Sequence, residues 1–278
     1  MKLSEQQLQF FDTFGFLTFP GLFSKEIDAI TDSFENVWAN HGHGHHGKPH
    51  DGQQRSSLVP FIDQSEHLSG LLDDRRIEGI ATSLLGEDFN YYTSDGNYYT
   101  GDTSWHSDWY GRSKKYLSIK IAFYLDPLTR GSGALRVIPG SHRVGDSFAD
   151  GLEVKRRQYE STLGVHESEL PNYALETHPG DLAVFNHNTK HAAFGGGRRR
   201  RMFTINLCQR HQEEDLHELR DWISALSRYW IDRLYGETMV RTAGPRRMRH
   251  LEQGLANDGH LEELSRANRD EMTEPSRG

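Results

Sequence analysis

Cysteine is almost absent from this chain, which has Cys208 as the single cysteine among its 278 residues. One cysteine cannot form an internal disulfide, so a small domain held together by disulfide bonds is excluded. Cys208 lies in an apolar, strand-like run, where we expect it to be a small buried side chain. The low cysteine content suits a reducing compartment, and we expect a cytoplasmic protein.

Long apolar runs are missing as well. Nowhere do about 18 uncharged apolar residues follow one another, the length that a membrane-spanning helix requires. The first residues contain no apolar segment of the kind that a secretory signal has. The sequence therefore predicts neither membrane insertion nor secretion.

Basic residues are outnumbered by acidic ones. The chain has 32 Lys and Arg against 40 Asp and Glu, which gives a formal net charge of -8 at pH 7. This balance provides no general attraction to nucleic acid or to an anionic membrane, so neither is expected as a partner. With 35% hydrophobic and 11% aromatic residues, the chain has enough apolar side chains for one large folded domain.

A His-X-Asp pattern, formed by His106 and Asp108, lies within residues 103–110. Side chains alternate between the two faces of a β-strand, so an imidazole and a carboxylate two residues apart can hold one ion. The best candidate for a third ligand is His191, and His187 is the alternative. Two histidines and one carboxylate on one face leave three octahedral positions open, which is the arrangement of non-haem Fe(II) oxygenases.

Further motifs follow this pattern in a characteristic order. They are a strand-like run at 116–126, Gly-Ser-Gly at 131–133, Pro-Gly-Ser-His at 139–142, Pro-Gly-Asp at 179–181 and four arginines at 198–201. In this order the motifs resemble the phytanoyl-CoA dioxygenase (PhyH) family of Fe(II)/2-oxoglutarate-dependent oxygenases. The resemblance extends over about residues 4–210 and is closest over 98–209.

The resemblance implies a mainly β fold. We expect a double-stranded β-helix (a jelly-roll or cupin-like barrel) with N-terminal and C-terminal helices packed on it. Residues 1–278 would form a single oxygenase domain. Within it we expect N-terminal helices and edge strands over 1–90, a catalytic β-helix core over 91–210, and a C-terminal helical extension with a polar tail over 211–278.

The resemblance also implies the metal, the cosubstrates and the reaction. A histidine that follows a short polar turn and precedes small residues fits His191 better than His187. Fe(II) would be held by His106, Asp108 and His191, with 2-oxoglutarate and O2 as cosubstrates. The enzyme would hydroxylate or otherwise oxidise a C–H bond of a small molecule, in secondary or specialised metabolism, with release of succinate and CO2. We expect a monomer or a homodimer.

Two other functions remain open. One is a cupin-like metal enzyme that does not use 2-oxoglutarate, and the other is a non-catalytic β-helix binding protein. Halogenation is not expected, because the related halogenases have a small residue in place of a carboxylate such as Asp108.

Four basic residues are candidates for binding 2-oxoglutarate. The alternate apolar residues of the last strand place Arg200 on the opposite face, where a guanidinium can pair with the distal carboxylate through two hydrogen bonds. In the resembled family this arginine often lies a residue or two farther on, so Arg201 is an alternative. Lys120 faces either the barrel interior or solvent. Arg55 is the last candidate, or else a surface arginine.

Aromatic residues are dense around the His-X-Asp pattern. Tyr98, Trp105, Trp109 and Tyr110 either form part of the core or line a substrate pocket. Residues 143–175 are polar and irregular, and we expect an insertion that closes over the pocket.

Three other segments lie outside these motifs. Residues 41–50 contain five histidines among glycines, which favours a flexible solvent loop over a metal site. A helix is predicted over about 213–235, packed on the barrel or in a dimer contact. We expect the last dozen or so residues to be disordered.

Overall fold

Two antiparallel sheets form the centre of the protein in the computed structural model, which describes residues 1–108, 115–155 and 158–278. The described strands are β1 (Phe16–Phe19), β2 (Ser56–Leu58), β3 (Asn90–Tyr99), β4 (Thr103–His106), β5 (Ser118–Tyr124), β6 (Leu135–Val137), β7 (Tyr173–Leu175), β8 (Leu182–Asn186), β9 (His191–Ala193) and β10 (Arg200–Cys208). The larger sheet has the order β1-β8-β5-β10-β3-β2, and the smaller has the order β4-β9-β6-β7. These sheets confirm the predicted double-stranded β-helix.

Helices contain more of the described residues than strands do. They are α1 (Glu5–Phe14), α2 (Ile27–Asn40), α3 (Glu66–Ser69), α4 (Arg75–Leu85), α5 (Ser147–Lys155), α6 (Tyr159–Leu163), α7 (Leu216–Ala225), α8 (Glu237–Arg241), α9 (Pro245–Leu255) and α10 (Leu261–Glu271). None of the helices in the described residues has both the length and the apolar character needed to cross a membrane.

Helix α1 begins at a capping box and ends at a glycine. The Ser4 hydroxyl accepts a hydrogen bond from the Gln7 amide at 3.2 Å, and the Gln7 side chain accepts one from the Ser4 amide at 2.9 Å, which completes a capping box. Gly15 ends the helix with φ 84°, and a Cβ there would lie 2.5 Å from His142 Nδ1. Both the left-handed backbone and this close approach require glycine.

Helix α2 begins without a capping side chain, although Ser24 lies shortly before it. The helix begins at Ile27, and the residue before it makes no side-chain cap. Ser24 instead donates a hydrogen bond to the Gly21 carbonyl at 3.0 Å. The hydroxyl therefore stabilises the turn after β1.

The main hydrophobic core lies on one face of the six-stranded sheet. Alternate residues of β5 and β10 point into it, and the Phe123 and Phe203 rings stack with centroids 4.6 Å apart. Helices from both ends of the chain cover this face through Phe34 of α2, Ile80 of α4 and Ile223 of α7. Burying each such side chain contributes about 1.5–3 kcal/mol to folding. The other face of the same strands is left to form a cavity.

Gly96 of β3 lies where any side chain would strike the ring of Phe61. We expect Gly96→Ala to lower the free energy of unfolding by about 1–3 kcal/mol, which is the usual cost of overpacking a core. Gly131→Ala is the matched control, because a Cβ there would have no neighbour within 4 Å. Urea unfolding measures both variants, and equal stabilities would contradict this packing of Gly96.

The segment 143–175 contains regular structure that the sequence did not indicate. It forms α5, α6 and β7, which pairs with β6. Leu152 of α5 and Tyr159 of α6 pack against a small cluster that includes Trp105. No described residue of this segment lines the cavity, so the expected closure over the pocket is not seen in the described part of the chain.

The C-terminal region is more ordered than predicted. The expected helix over 213–235 ends at Ala225, and a 3-10 turn, Leu226–Tyr229, follows it. Residues 272–278 are held against the protein rather than disordered, because the Ser276 amide donates to the Arg228 carbonyl at 2.9 Å and Arg277 donates to the Arg55 carbonyl at 2.8 Å. These bonds join residues far apart in the sequence, so the local composition of the tail does not predict them.

The histidine-rich tract is partly packed against the C-terminal segment. His45 is buried, with Nδ1 3.0 Å from the Ser57 carbonyl oxygen and Nε2 2.9 Å from the Pro275 carbonyl oxygen. No group of potential metal ligands forms in this tract among the described residues. The prediction of a flexible solvent loop is therefore wrong for His45.

Candidate active site

A cavity of about 560 Å³ lies between the two sheets. Inward-facing residues of both sheets line it, among them Asp95, Lys120 and Arg200 from the larger sheet and His106 and His191 from the smaller. Cations, carboxylates and imidazoles thus converge in one cavity, which is typical of a binding or catalytic site.

Strand pairing brings the three predicted metal ligands together. His106 ends β4 and His191 begins β9, and the two residues are cross-strand partners whose ring centroids lie 4.2 Å apart. The Asp108 amide donates to the His187 carbonyl at 2.9 Å, which turns the chain so that the Asp108 carboxylate faces the same point. One ligand atom of each residue lies within 4.8 Å of the others. Asp108 Oδ2 and His191 Nε2 are 3.7 Å apart.

The hydrogen bonds of the two histidines fit a metal. Nδ1 of His106 lies 2.8 Å from the Ser104 carbonyl oxygen, and Nδ1 of His191 lies 2.9 Å from the Thr189 carbonyl oxygen. A carbonyl accepts only from a protonated nitrogen, so each ring has its proton on Nδ1 and a free lone pair on Nε2. Such orienting hydrogen bonds are the usual support of histidine ligands. The donor set therefore fits a divalent metal with open coordination positions.

The charge states of these groups also suit a cation. Burial and, to a lesser extent, the neighbouring His106 lower the pKa of His191 to about 3, so His191 is neutral at pH 7. Burial lowers the pKa of His106 as well. Burial alone would raise the pKa of Asp108, but Lys120 and the surrounding histidines outweigh it and hold that pKa well below its usual range. The cluster thus offers two neutral imidazoles and one carboxylate.

Lys120 extends into the cavity beside this cluster. Its Nζ lies 2.9 Å from Asp108 Oδ2. Burial alone would lower the pKa of this ammonium, but the carboxylates of Asp108 and Asp95 outweigh burial and raise the pKa. Of the two orientations that the sequence left open, solvent exposure is wrong, because helices cover the apolar face of β5 and leave the Lys120 face to the interior. Its anionic partner in the structure is the carboxylate of Asp108.

Arg200, the first residue of β10, lines the cavity on the same face of that strand as Asn206, the cross-strand partner of Lys120. It is 6% exposed, and one guanidinium nitrogen donates to the Gly133 carbonyl at 3.1 Å. Its Cζ lies 5.3 Å from the centre of the Tyr99 ring. In the described part of the chain Arg200 forms no ion pair, and its burial lowers its pKa. A buried guanidinium with an open fork fits a carboxylate ligand.

Comparison with protein families assigns the chain to one family. The sequence model described as phytanoyl-CoA dioxygenase (PhyH) matches residues 11–202, which is more than half of the chain. The chain belongs to the PhyH family. Comparison with curated proteins found no match.

Solved structures similar to this PhyH-family protein share its fold. The non-heme alpha ketoglutarate dependent carbocyclase SnoK from nogalamycin biosynthesis is 22% identical, with a TM-score of 0.58 over 78% of this chain and 91% of SnoK. HygX from Streptomyces hygroscopicus, solved with nickel and 2-oxoglutarate, is 17% identical, with a TM-score of 0.60 over 75% of this chain and 88% of HygX. EctD from S. alaskensis, solved with 2-oxoglutarate and 5-hydroxyectoine, is 23% identical, with a TM-score of 0.55 over 74% of this chain and 76% of EctD.

The alternative cosubstrate residue of this PhyH-family protein, Arg201, lies on the wrong face. Its side chain points away from the cavity, where Nε donates to Asp126 at 3.0 Å and a terminal nitrogen donates to Glu35 at 3.0 Å. Neighbouring residues of a strand face opposite sides, so Arg200 and Arg201 cannot both enter the cavity. The structure corrects the prediction for Arg201, whose charge is already paired.

Arg55 lines the cavity and is not a surface arginine. Its Nε donates to Asn97 Oδ1 at 2.8 Å, and a terminal nitrogen lies 3.6 Å from Asp95 Oδ2. Its Cζ lies 4.3 Å from the centre of the Tyr99 ring. Arg55 and Arg200 thus both contact Tyr99, which places a second cation near the expected position of the cosubstrate.

Two of the aromatic residues predicted to line the pocket lie elsewhere in the structure. Tyr98 stacks on Trp38 with ring centroids 4.4 Å apart and lies in the main core, so it is corrected to a core residue. Trp105 is buried in the small cluster and does not line the cavity, since its indole donates to the Glu167 carbonyl at 2.8 Å. Trp109 and Tyr110 lie outside the described residues.

Other residues that line the cavity were missed by sequence reasoning. Tyr99 and Tyr124 are aromatic residues on the inner faces of β3 and β5, and the strand alternation that selected Arg200 could have found them. Trp222, Leu226 and Tyr229 come from α7 and the turn after it. Their helical spacing indicates burial but not which surface is buried, so no sequence signal assigns them to the cavity.

Proposed function

We propose that the protein is an Fe(II)/2-oxoglutarate-dependent oxygenase that oxidises a C–H bond of a small molecule, with release of succinate and CO2. The observation that carries this proposal is that one cavity contains both a two-histidine, one-carboxylate cluster and a buried guanidinium with no ion pair among the described residues. A metal alone would explain the first feature, and a dicarboxylate cosubstrate explains the second.

The metal ligands would be His106, Asp108 and His191. Their three side chains occupy one face and leave positions free for the cosubstrate and oxygen. Fe(II), when bound, supplies the oxidising chemistry that protein side chains lack. The backbone carbonyls of Ser104 and Thr189 hold the two imidazoles in the orientation that this requires.

The cosubstrate would lie between the metal ligands and Arg200. The guanidinium would pair with the distal carboxylate of 2-oxoglutarate, with the Tyr99 ring beside it. Lys120 and Arg55 provide two further cations along the cavity and would compensate the negative charge of the dicarboxylate.

The C-terminal helices would complete the substrate pocket. Trp222, Leu226 and Tyr229 supply an apolar wall that excludes water from the reacting atoms. Because these residues lie beyond 210 and line the same cavity as the metal ligands, we also propose that residues 1–278 act as one catalytic domain.

The similar structures support the same chemistry. HygX was solved with nickel and 2-oxoglutarate, and EctD with 2-oxoglutarate and 5-hydroxyectoine. SnoK is described as a carbocyclase, so this fold also supports outcomes other than hydroxylation. The fold alone does not select among these outcomes.

The test is an anaerobic titration of metal-free protein with Fe(II) and then with 2-oxoglutarate. We expect a weak visible charge-transfer band only after 2-oxoglutarate is added, because chelation of the metal produces it. Succinate is the matched control, since it has no keto group and should give no band. Admission of oxygen should then release succinate from 2-oxoglutarate. Protein that binds Fe(II) but forms no band would instead be a metal enzyme that does not use 2-oxoglutarate.

A further inference from the structure

One row of inward-facing residues runs along the whole length of the cavity. Alternate residues of β10 from Arg200 to Asn206 line it. At about 3.4 Å per residue, the Cα atoms of these two residues are roughly 20 Å apart along the strand. Thr93 of β3 and Lys120 of β5 are the cross-strand partners of Asn206. The Asn206 end is therefore distinct from the end that holds Arg200.

Polar atoms without partners are concentrated at this end. Thr93 Oγ1, His187 Nε2 and Asn206 Oδ1 are buried and line the cavity, and none makes a hydrogen bond of normal geometry within the described structure, although the His187 ring lies close to the Asn206 side chain. The three residues are 6%, 8% and 5% exposed. A buried polar group without a partner is costly, so three in one place indicate that a ligand completes their hydrogen bonds.

The orientation of the Asn206 amide selects the kind of ligand group. Its Nδ2 donates to the Thr93 carbonyl at 3.3 Å, to Asp95 Oδ1 at 3.3 Å and to Thr204 Oγ1 at 3.2 Å. The amide therefore has its oxygen toward the ligand, and that oxygen can only accept a hydrogen bond. With the Asp95 carboxylate next to it, this end favours a group that donates a hydrogen bond and disfavours another anion.

The same end borders the metal ligands. The His187 carbonyl accepts from the Asp108 amide at 2.9 Å, and Lys120, opposite Asn206, reaches the Asp108 carboxylate. The nearby cations do not reverse this preference, because Lys120 faces Asp108 and Arg55 faces Asp95. A group bound here would hold the rest of the ligand beside the metal.

We propose that Thr93, His187 and Asn206 form the subsite for a hydroxyl or amino group of the substrate. The substrates are accordingly alcohols or amines, oriented by this group, rather than molecules that present a carboxylate or a phosphate at this end. The inference rests on the proposed function, because it names the substrate class of the same site.

Binding of three probes with the same ring tests this subsite. Protein loaded with Ni(II) and 2-oxoglutarate, which cannot turn over, is titrated with cyclohexanol, cyclohexylamine and cyclohexanecarboxylate, and saturation-transfer NMR gives each Kd. We expect the alcohol and the amine to bind at least about tenfold more tightly than the acid, because one hydrogen bond of about 1.4 kcal/mol corresponds to tenfold.

Variants of Asn206 separate recognition from structure. Asn206→Leu should weaken alcohol and amine binding about tenfold, whereas Asn206→Asp should favour the amine over the alcohol because a carboxylate pairs with an ammonium. Asn172→Leu is the control, since that asparagine bonds to Arg130 outside the cavity. The affinity for 2-oxoglutarate should stay unchanged in all three variants, which shows that the distant Arg200 end remains folded.

Three results would overturn the inference. They are acid binding as tight as that of the alcohol and the amine, no binding of any probe, and unchanged binding in Asn206→Leu. Failure of the wild-type protein to take up Ni(II) and 2-oxoglutarate is a different result, seen before any probe is added, and it contradicts the proposed function itself.

Discussion

Replacing His191 with alanine should abolish Fe(II) binding, whereas His187→Ala should retain it. His191 directs Nε2 toward Asp108 and His106, while His187 lies in the cavity outside the three-residue cluster. We expect His191→Ala to weaken metal binding by more than about 100-fold, beyond the 10- to 100-fold that loss of a supporting residue typically costs. Co(II) titration, followed by its visible absorption, measures both affinities without turnover.

His187→Ala is the matched control for this prediction, because it removes an imidazole from the same cavity. Burial lowers the pKa of His187 to about 4, so it is neutral at pH 7 like the proposed ligands. An equal loss of Co(II) affinity in the two variants would contradict the assignment of His191. A loss in His187→Ala alone would move the third ligand to His187.

Replacing Arg200 with alanine should raise the 2-oxoglutarate concentration needed for half-saturation by about 10- to 100-fold. The removed guanidinium would otherwise make charge-assisted hydrogen bonds worth about 1.5–3 kcal/mol to the distal carboxylate. Arg200→Lys should recover only part of the affinity, since an ammonium lacks the planar fork. Titration of the Fe(II)-loaded protein with 2-oxoglutarate, followed by the charge-transfer band, gives the affinities.

Arg201→Ala is the control for Arg200, because the two residues are neighbours on β10 and face opposite sides of the sheet. We expect it to leave 2-oxoglutarate binding unchanged and to lower stability, since it removes the contacts with Asp126 and Glu35. Weakened 2-oxoglutarate binding in Arg201→Ala, with normal binding in Arg200→Ala, would reverse the assignment. Urea unfolding of both variants separates binding effects from loss of fold.

The local sequence was sufficient to predict the structure where a single helix or strand determines it. The capping box at Ser4 and the glycine at position 15 depend on neighbouring residues only, so both ends of α1 follow from the local sequence. The alternation of β10 likewise separates Arg200 from Arg201, because the apolar residues Phe203, Ile205 and Leu207 that follow them mark the core face. In these places the chain needs no distant partner to specify its conformation.

Distant contacts decided the rest of the site. The strand pattern alone allowed Lys120 to face either solvent or the interior. The helices packed over the opposite face of β5 determined that it faces the interior. Tyr98 is an aromatic residue close in sequence to the metal ligands, as a pocket residue could be, but Trp38 of α2 covers it. Trp222 reaches the cavity because α7 folds back on the barrel, which its helical spacing does not specify.

By itself, the sequence predicted the double-stranded β-helix and the family, because its motifs in their order resemble that family, and it named the residues that we propose for the metal and for 2-oxoglutarate. Only the tertiary structure decided which inward-facing residues share one cavity with His106, Asp108 and His191. The physical reason is that alternation assigns a side chain to a face of its strand. Whether that face is covered by helices or encloses a cavity depends on packing between segments far apart in the chain.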